Sequence, residues 1–315
     1  VTKGEYTHHK ATSGTSHPPT TPCSDMCGTI TALGAGVTKW RVGDRVLSTF
    51  LPDHVAGQVT EKELSGSLGH PAPGVLAEYR VFAEHSLVGA PGGMSEVEAS
   101  TLPIAGVTAW VSLVNRGWMG GKRETEGEGR LLEGKTVLVQ GTGGVAVMGL
   151  LIGRALGGSV IVTSSSDEKL SQAKSLGATY TINYVTTPDW DVEVNRLTHG
   201  HGADIILETG GARTLRKSFE CIAFGGLINC IGYLSGKVDE PEDRVNVNVL
   251  TLRRNVTLQG IINGSRERFE EMVEFFGREG VKPVVNRVFG FGEVREAFGF
   301  MERGGHFGKV VVKVE

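Results

Sequence analysis

The sequence has few cysteines and almost no excess charge of either sign. Four cysteines in 315 residues cannot form a disulfide framework, so we expect a reducing, cytoplasmic compartment. The formal net charge is −3, from 32 basic and 35 acidic residues. That balance gives no electrostatic reason to expect nucleic acid or an anionic membrane as a partner. Residues 1–20 also lack the apolar core of a secretory signal.

A long apolar run of the kind that crosses a membrane is missing as well. The longest uncharged stretch lies between Lys135 and Arg154, and it contains Gln140, Thr142 and five glycines. The whole chain has 46 glycines but only 11 prolines, which favours tight strand–helix turns over a disordered linker. The stretch is therefore predicted to be a strand, a turn and a helix rather than a membrane span.

The first third of the chain is predicted to be mostly β-structure. Residues 1–22 are typical of an irregular segment, and short alternating runs with turn signals continue to about residue 90. Strands are predicted in TITALGAG, in KWRVGDRVLSTF after a turn at Gly43 and Asp44, and in GVLAEYRVF. Ser95 and Glu98 then have the spacing of a helix capping box.

Strands and helices alternate from residue 136 onward. Apolar, β-rich runs that are each followed by a helical pattern predict an α/β fold with a doubly wound parallel sheet. The predicted strands are TVLVQ, SVIVT, YTINY, ADIILE and GLINCIG, and the predicted helices cover 145–156, 167–176, 189–198 and 212–222. The last run, KVVVKV, is expected to complete a sheet that begins elsewhere in the chain.

The most specific motif is a glycine-rich turn between the strand TVLVQ and the next helix. It contains Gly141, Thr142, Gly143 and Gly144. Glycine lets a backbone turn tightly and approach a diphosphate closely, and a helix N-terminus supplies free N–H groups and a positive dipole end. A tight turn without a ligand is the alternative, but the position inside a repeated βαβ pattern favours a nucleotide site.

The end of the following strand indicates which nucleotide is bound. NAD sites usually carry Asp or Glu there, whose carboxylate accepts hydrogen bonds from the ribose. This chain has Ser164, Ser165 and Ser166 instead, followed by Lys169. Hydroxyls and a cation suit a 2′-phosphate, so NADP(H) is the predicted cofactor. The alternative is that the three serines only cap the next helix.

These motifs belong to a wider pattern that resembles the medium-chain dehydrogenase/reductase superfamily. The most similar members are the zinc-independent quinone oxidoreductase-like and zinc-type alcohol dehydrogenase-like proteins. The resemblance covers nearly the whole chain and rests on GAGVTKWRVGDRV, GVLAEYRVF, LPIAGVTAW, VLVQGTGGVA, VTSSSDEKL, LGATYTINY, GGLINCIG and HFGKVVVKV. It implies a Rossmann NADP(H)-binding domain at 106–255 and a partial GroES-like catalytic lobe from 1–105 and 256–315, with the cofactor in the cleft.

The resemblance also implies roles for individual residues. The diphosphate turn would be formed by Gly141, Thr142, Gly143, Gly144 and Val145. The 2′-phosphate contacts would come from Ser164, Ser165, Lys169 and Tyr184. Segments beside the nicotinamide would supply Gly232, Tyr233, Ile261, Ile262 and Asn263, with Lys309 near the cofactor. Thr108 matches the hydroxyl on the nicotinamide side. The catalytic candidates are Thr108, Ser24, Asp25 and Tyr79, although Tyr79 could equally fill the β lobe.

The residues at the zinc position depart from the family pattern. Zinc-containing members carry Gly-His-Glu where this chain has Cys23, Ser24 and Asp25. A serine cannot replace an imidazole as a tetrahedral zinc ligand. A later cysteine of those members falls at Ile104, which cannot bind metal. We therefore expect no metal.

The remaining cysteines and histidines are interpreted without a metal. Cys23, Cys27, Cys221 and Cys230 are predicted to be small apolar residues of the interior. The histidines of His8–His9 and His199–His201 have no carboxylate or cysteine partner at ligand spacing, so they are predicted to be solvated loop residues.

The chain begins late relative to the family. VTKGEY resembles the stretch just after an Asn-Tyr-Arg-Asp tract that lines the substrate pocket, so the N-terminus is expected to be shortened. The leading hypothesis is a zinc-independent, NADP(H)-dependent oxidoreductase that reduces an activated C=C or C=O of a small molecule, of the enone, quinone or aldehyde/alcohol class. A cofactor-binding pseudoenzyme and a non-redox cyclase or isomerase are the alternatives. The resemblance favours a homodimer.

Overall fold

The computed structural model describes residues 20–115, 117–118, 130–236, 240–241 and 243–314. The chain divides into two compact units. Unit 1 comprises Val1–Val107 and Asn263–Glu315, and unit 2 comprises Thr108–Ile262. Unit 1 is therefore assembled from two separate lengths of chain, whereas unit 2 is continuous.

Eleven strands and ten α-helices lie in the described residues. The strands are β1 (Cys27–Thr29), β2 (Arg45–Ser48), β3 (Leu87–Gly89), β4 (Thr136–Gln140), β5 (Ser159–Ser164), β6 (Tyr180–Asn183), β7 (Ala203–Glu208), β8 (Ile222–Cys230), β9 (Thr257–Gly260), β10 (Val285–Gly290) and β11 (Lys309–Lys313). The helices are α1 (Glu61–Leu64), α2 (Glu96–Ala99), α3 (Val107–Leu113), α4 (Gly144–Ala155), α5 (Asp167–Ser175), α6 (Trp190–Leu197), α7 (Ala212–Cys221), α8 (Val247–Arg254), α9 (Arg266–Glu279) and α10 (Val294–Glu302). A π-helical turn, Leu102–Gly106, leads into α3. In the described ranges every helix is too short or too polar to cross a bilayer.

Unit 2 contains a single six-stranded sheet. Its strands run in the order β6-β5-β4-β7-β8-β9, and every neighbouring pair is parallel. β7 is buried along its whole length, and β4 is buried over its last four residues, as in a sheet that helices cover on both faces. The predicted doubly wound Rossmann sheet is confirmed, and the order reverses between β4 and β7, where ligands bind in such folds.

The core of unit 2 lies between this sheet and its helices. Central strands supply Leu138, Ile161, Ile206 and Ile228, and α6 and α7 supply Trp190, Val194 and Phe219. Burying a large apolar side chain contributes about 1.5–3 kcal/mol relative to leaving it exposed. This packing fixes the sheet whose carboxyl ends form the candidate site.

Unit 1 contains two small sheets. Strands β1, β2 and β3 are antiparallel neighbours, and β10 pairs in parallel with β11. The last strand therefore pairs with the strand just before it, not with a sheet that begins elsewhere, and that expectation was wrong. The reason is local, because α10 connects the two strands and packs Ala297 and Met301 against Phe289 and Val310.

Two predicted strands of unit 1 are also wrong. TITALGAG contributes only Thr29 to β1, and GVLAEYRVF contains no strand. Alternation makes a segment suitable for a sheet, but a strand also needs a neighbour to bond its backbone. No strand among the described residues pairs with 74–82, and Tyr79 and Val81 are 79% and 93% exposed. The capping box predicted at Ser95 and Glu98 is present.

Candidate functional site

A tight glycine turn joins the end of β4 to the start of α4 in unit 2. Gly141 has φ +82°, a conformation that side chains rarely adopt, and its N–H donates to the carbonyl of Thr163 at 2.9 Å. Gly143 is the N-cap residue of α4, and no side chain caps this helix. The first N–H groups at Gly144 and Val145 therefore lack the side-chain acceptor that usually satisfies such donors.

Open space lies beside this turn. A Cβ placed on Gly141 or on Gly143 would meet no atom within 4 Å. The glycines are thus not required by packing within the protein, although φ at Gly141 favours glycine by itself. Room beside a backbone with free N–H groups at a helix N-terminus fits a diphosphate. Thr142 is buried within the same turn.

Two further glycines hold α4 close to the sheet. A Cβ on Gly149 would lie 2.8 Å from Cδ2 of Leu207 and 3.0 Å from Cγ1 of Val139. A Cβ on Gly153 would lie 3.1 Å from Cγ2 of Val160. Side chains at these positions would push the helix outward, so the glycines set the position of its N-terminus relative to the strand ends.

The serines at the end of β5 do not share one role. Ser166 is the N-cap of α5, and its Oγ accepts from the N–H of Lys169 at 3.3 Å. Ser164 is buried, whereas the side chain of Ser165 is exposed. The capping alternative therefore describes Ser166, and it leaves Ser165 unexplained.

Lys169 and Tyr184 lie near the same edge of unit 2. The N–H of Tyr184 donates to the carbonyl of Ser164 at 3.0 Å, which places it beside the end of β5. Partial burial lowers the pKa of Lys169 from its usual value, and the neighbouring charge of Glu168 opposes that change. The predicted 2′-phosphate residues are thus grouped at the carboxyl ends of β5 and β6.

The loop after β8 approaches the loop after β7. A Cβ on Gly232 would lie only 2.9 Å from the carbonyl oxygen of Thr209, so this glycine is needed for close backbone packing. Tyr233, next to it, is exposed, and Ile261 and Ile262 after β9 are buried and exposed, respectively. These predicted residues all lie beyond the carboxyl ends of their strands.

Sequence reasoning missed two buried polar residues at these strand ends. Gln140 ends β4 and Glu208 ends β7, and Nε2 of Gln140 donates to Oε2 of Glu208 at 2.7 Å. The signal was available, because each polar residue directly follows three apolar residues of a strand that is predicted to be buried.

Thr108 lies in the first turn of α3, and Asn263 bonds to the π-helical turn that precedes this helix in the sequence. Thr108 is buried in unit 2, and its carbonyl accepts from the hydroxyl of Ser112 at 2.7 Å. Asn263 belongs to unit 1, where its side-chain amide donates to the carbonyls of Pro103 and Ile104, each at 3.3 Å. Those carbonyls lie in the π-helical turn, a feature that is frequent at functional sites.

In unit 1 the catalytic candidates Ser24 and Asp25 form a buried cluster with Lys309. The ammonium of Lys309 donates to Oδ2 of Asp25 at 3.1 Å, and the hydroxyl of Ser24 donates to Oδ1 at 2.8 Å. Ser48 fixes the segment, since its hydroxyl donates to the carbonyl of Ser24 at 2.7 Å. The preceding Cys23 has φ +67°, a strained conformation for this residue type.

Tyr79 lies in a different environment from this cluster. Its side chain is exposed and does not fill the β lobe. It lines a cavity of about 1100 Å³ within unit 1, whose lining also includes Asp25 and Lys309. The cavity therefore has a charged, hydrogen-bonded region within a wall of mainly apolar side chains.

The residues at the family's zinc position do not suit a metal. Asp25 is already bonded by Lys309 and Ser24, and Ile104 offers no donor. Among the residues that the structure describes, no group of three or more His, Cys, Asp or Glu side chains could hold a metal ion. His201 lies 3.3 Å from Asp204 and is exposed, like His199, while His8 and His9 lie outside the described residues.

The four cysteines are free thiols. Cys23 and Cys221 are buried, and Cys230 packs against the core of unit 2. Burial raises the pKa of the Cys27 thiol to about 11. The predicted role of these residues as small interior side chains is confirmed for Cys23 and Cys221, whereas Cys27 and Cys230 are partly buried.

The fold agrees with the comparisons to known proteins. The family profile described as alcohol dehydrogenase GroES-like domain matches residues 2–92, and the one described as zinc-binding dehydrogenase matches residues 144–278. A zinc-type alcohol dehydrogenase-like protein of Schizosaccharomyces pombe is 38% identical over 297 residues, which are 94% of this chain and 83% of that protein. The chain belongs to the medium-chain dehydrogenase/reductase superfamily.

Other members of the superfamily show the same relationship. A quinone oxidoreductase-like protein 2 homologue of Nematostella vectensis is 28% identical and matches 94% of this chain and 74% of its own length. A solved NAD-dependent alcohol dehydrogenase is 30% identical, with a TM-score of 0.83, and covers 100% of this chain and 89% of its own. The protein is thus an oxidoreductase of the alcohol dehydrogenase and quinone oxidoreductase type, with a Rossmann-like sheet and a GroES-like domain.

Proposed function

We propose that this medium-chain dehydrogenase/reductase is a zinc-independent, NADP(H)-dependent oxidoreductase that reduces an activated C=C or C=O of a small molecule. The observation that carries the proposal is the turn from Gly141 to Gly144. It combines a positive φ, an N-terminus of α4 without a side-chain cap, and open space beside Gly143. These features together suit a dinucleotide diphosphate.

The preference for NADP(H) over NAD(H) rests on the end of β5. No carboxylate ends this strand, and the exposed hydroxyl of Ser165 stands where an acid would accept bonds from the ribose. Lys169, in the first turn of α5, supplies a positive charge close to the end of β5. A 2′-phosphate would gain charge-assisted hydrogen bonds from these groups, each contributing about 1.5–3 kcal/mol.

The bound cofactor would supply hydride to an electrophilic carbon of the substrate. The chain's own contribution is to bind and orient the dinucleotide through the Gly141–Gly144 turn and to keep donor and acceptor carbons aligned. Thr108 is the hydroxyl proposed for the nicotinamide side. Asp25 is proposed as a catalytic residue and Lys309 as a cofactor contact, and within unit 1 the two side chains form one hydrogen-bonded pair.

The test is a pair of glycine variants that separate ligand binding from folding. Gly143→Ala adds a methyl group into space that is empty in the protein, so the fold should be unaffected while the diphosphate is crowded. We expect the Kd for NADPH, measured by nucleotide fluorescence, to rise at least tenfold. Gly277→Ala is the matched control, since a Cβ there also meets no atom within 4 Å and Gly277 lies in α9 of unit 1.

Turnover completes the experiment. NADPH oxidation is followed with a panel of enones, quinones and aldehydes, with NADH in parallel. Absence of dinucleotide binding would overturn the proposal. Binding without turnover across the panel would identify a pseudoenzyme instead, and substrate conversion without net NADPH consumption would identify a cyclase or isomerase.

A further inference from the structure

We propose that Glu208 is a positioning residue for the dinucleotide: its buried carboxylate joins the end of β4, which leads into the glycine turn, to the loop after β7 and to α7. The inference rests on the proposed function, since it concerns the same cofactor site. Glu208 was not among the predicted site residues. It ends β7 and is 1% exposed.

Both oxygens of the Glu208 carboxylate are fully used. Oε1 accepts from the N–H groups of Gly210 and Gly211, each at 2.9 Å, and from the hydroxyl of Thr214. Oε2 accepts from Nε2 of Gln140 at 2.7 Å and from the hydroxyl of Ser218. Five donors from β4, the β7–α7 loop and α7 therefore converge on one side chain.

Gln140 extends this network to the glycine turn. Its Oε1 accepts from the N–H of Thr209 at 3.2 Å and of Gly210 at 3.3 Å, and its carbonyl accepts from the hydroxyl of Thr209 at 3.0 Å. Gln140 is followed directly by Gly141. The backbone that enters the diphosphate turn is therefore fixed by bonds that depend on Glu208.

The same residue also fixes the loop after β8. Its backbone carbonyl accepts from the N–H of Ile231 at 2.8 Å and of Gly232 at 3.3 Å. Gly232 packs against the carbonyl of Thr209, which bonds to the N–H of Leu234 at 3.1 Å. Two predicted cofactor segments, the glycine turn and the loop at Gly232, thus share one anchor.

A role in stability alone does not account for a carboxylate here. None of the ion pairs found among the described residues includes Glu208, and burying a charge without a counter-ion is costly even when hydrogen bonds satisfy it. The negative charge of Glu208 adds to the effect of burial in raising the pKa of Cys230. An ionised carboxylate has two acceptor oxygens with about four lone-pair sites between them and no donor, which suits a side chain that bonds to β4, to the β7–α7 loop and to α7.

The opposite end of the same strand provides a matched control. Asp204, near the start of β7, is 5% exposed, and it accepts from the N–H of Thr136 at 2.9 Å and from Nζ of Lys135 at 3.0 Å. It therefore also joins β7 to β4 through a buried carboxylate. It differs from Glu208 in lying at the amino end of the sheet, away from the predicted cofactor segments.

The experiment compares Glu208→Gln with Asp204→Asn in the full chain. Both variants should lower the Tm. Only Glu208→Gln should raise the Kd for NADPH, by about tenfold or more, with a matching rise in KM for NADPH, because small displacements at a binding turn are amplified. Binding is measured below the Tm of both variants by fluorescence of the bound nucleotide.

The outcomes separate this inference from the proposed function. If the wild-type chain binds no dinucleotide, both fail together. If the wild-type chain binds NADPH and Glu208→Gln binds it equally well, or Asp204→Asn weakens binding as much, Glu208 is not a positioning residue. Should Glu208→Gln not fold, Thr214→Val removes one donor with little change in shape, and an unchanged Kd in that variant overturns the inference.

Discussion

The ammonium of Lys309 lies 3.1 Å from the carboxylate of Asp25, and the two side chains are only 6% and 4% exposed. The residues are 284 positions apart in the sequence. The pair therefore joins the two lengths of chain that build unit 1.

Removing one member of this pair should destabilise the protein strongly. Lys309→Met leaves the Asp25 carboxylate buried without its cation, and such a loss costs about 3–5 kcal/mol. The measurement is the free energy of unfolding from urea titration followed by circular dichroism. In Asp25→Leu/Lys309→Met both charges are gone, and we expect most of the stability to return. Additive losses in the double variant would contradict this account.

Two glycine-to-alanine substitutions, one in α4 and one in α9, are expected to change the stability of the protein in opposite directions. Gly149→Ala places a methyl group 2.8 Å from Leu207, and such overpacking costs about 1–3 kcal/mol. Gly277→Ala adds a methyl group on α9 with no atom within 4 Å, and it should stabilise by about 0.5–1 kcal/mol because alanine has the higher helix propensity. Thermal unfolding of both variants checks the signs, and equal shifts would be incompatible with the packing.

We expect a substitution at Ser165 to change the preference between NADPH and NADH. Ser165→Asp places a carboxylate at the end of β5, where it would repel a 2′-phosphate and accept hydrogen bonds from ribose hydroxyls. We expect the ratio of kcat/KM for NADPH to that for NADH to fall at least tenfold, as the loss of one charge-assisted hydrogen bond implies. Ser166→Ala is the control, because Ser166 caps α5 and its loss should reduce stability without changing the ratio. If Ser165→Asp leaves this ratio unchanged, Ser165 does not contact the 2′-phosphate.

We expect two partly buried thiols to cause a loss of stability at alkaline pH. Burial raises the pKa of Cys27 and of Cys230 from 9.0 to about 11. Since the folded state holds these protons more tightly than the unfolded state, their contribution is complete below about pH 9 and decreases as the pH rises towards 11. The urea midpoint at pH 8 and at pH 10 should therefore differ more for the wild type than for Cys27→Ala/Cys230→Ala. Equal differences would show that other groups control the alkaline transition.

The sequence predicted unit 2 better than unit 1 for a physical reason. TVLVQ is a buried strand whose apolar residues and following glycines specify it locally, and β4 begins and ends as predicted. GVLAEYRVF has the alternation of a strand, but no described strand lies beside it, and alternation carries no information about a partner. The resemblance placed Asp25 and Lys309 near the site but not against each other.

The Glu208 network was missed for a related reason. A glutamate at the end of an apolar strand is visible in ADIILE, yet its five donors come from separate segments that only the folded sheet brings together. Local patterns identified the glycine turn, whereas the residues that hold the turn in place depend on contacts between distant parts of the chain.

The division of unit 1 into two lengths of chain sets an order for its completion during synthesis. All six strands of the unit 2 sheet have been made once Gly260 has left the ribosome, so that sheet can form while the chain is still growing. Asp25 is made long before Lys309, and its carboxylate has no cation from this pair until the last strand emerges. The ion pair between Asp25 and Lys309 can therefore form only after the whole of unit 2 has been synthesised.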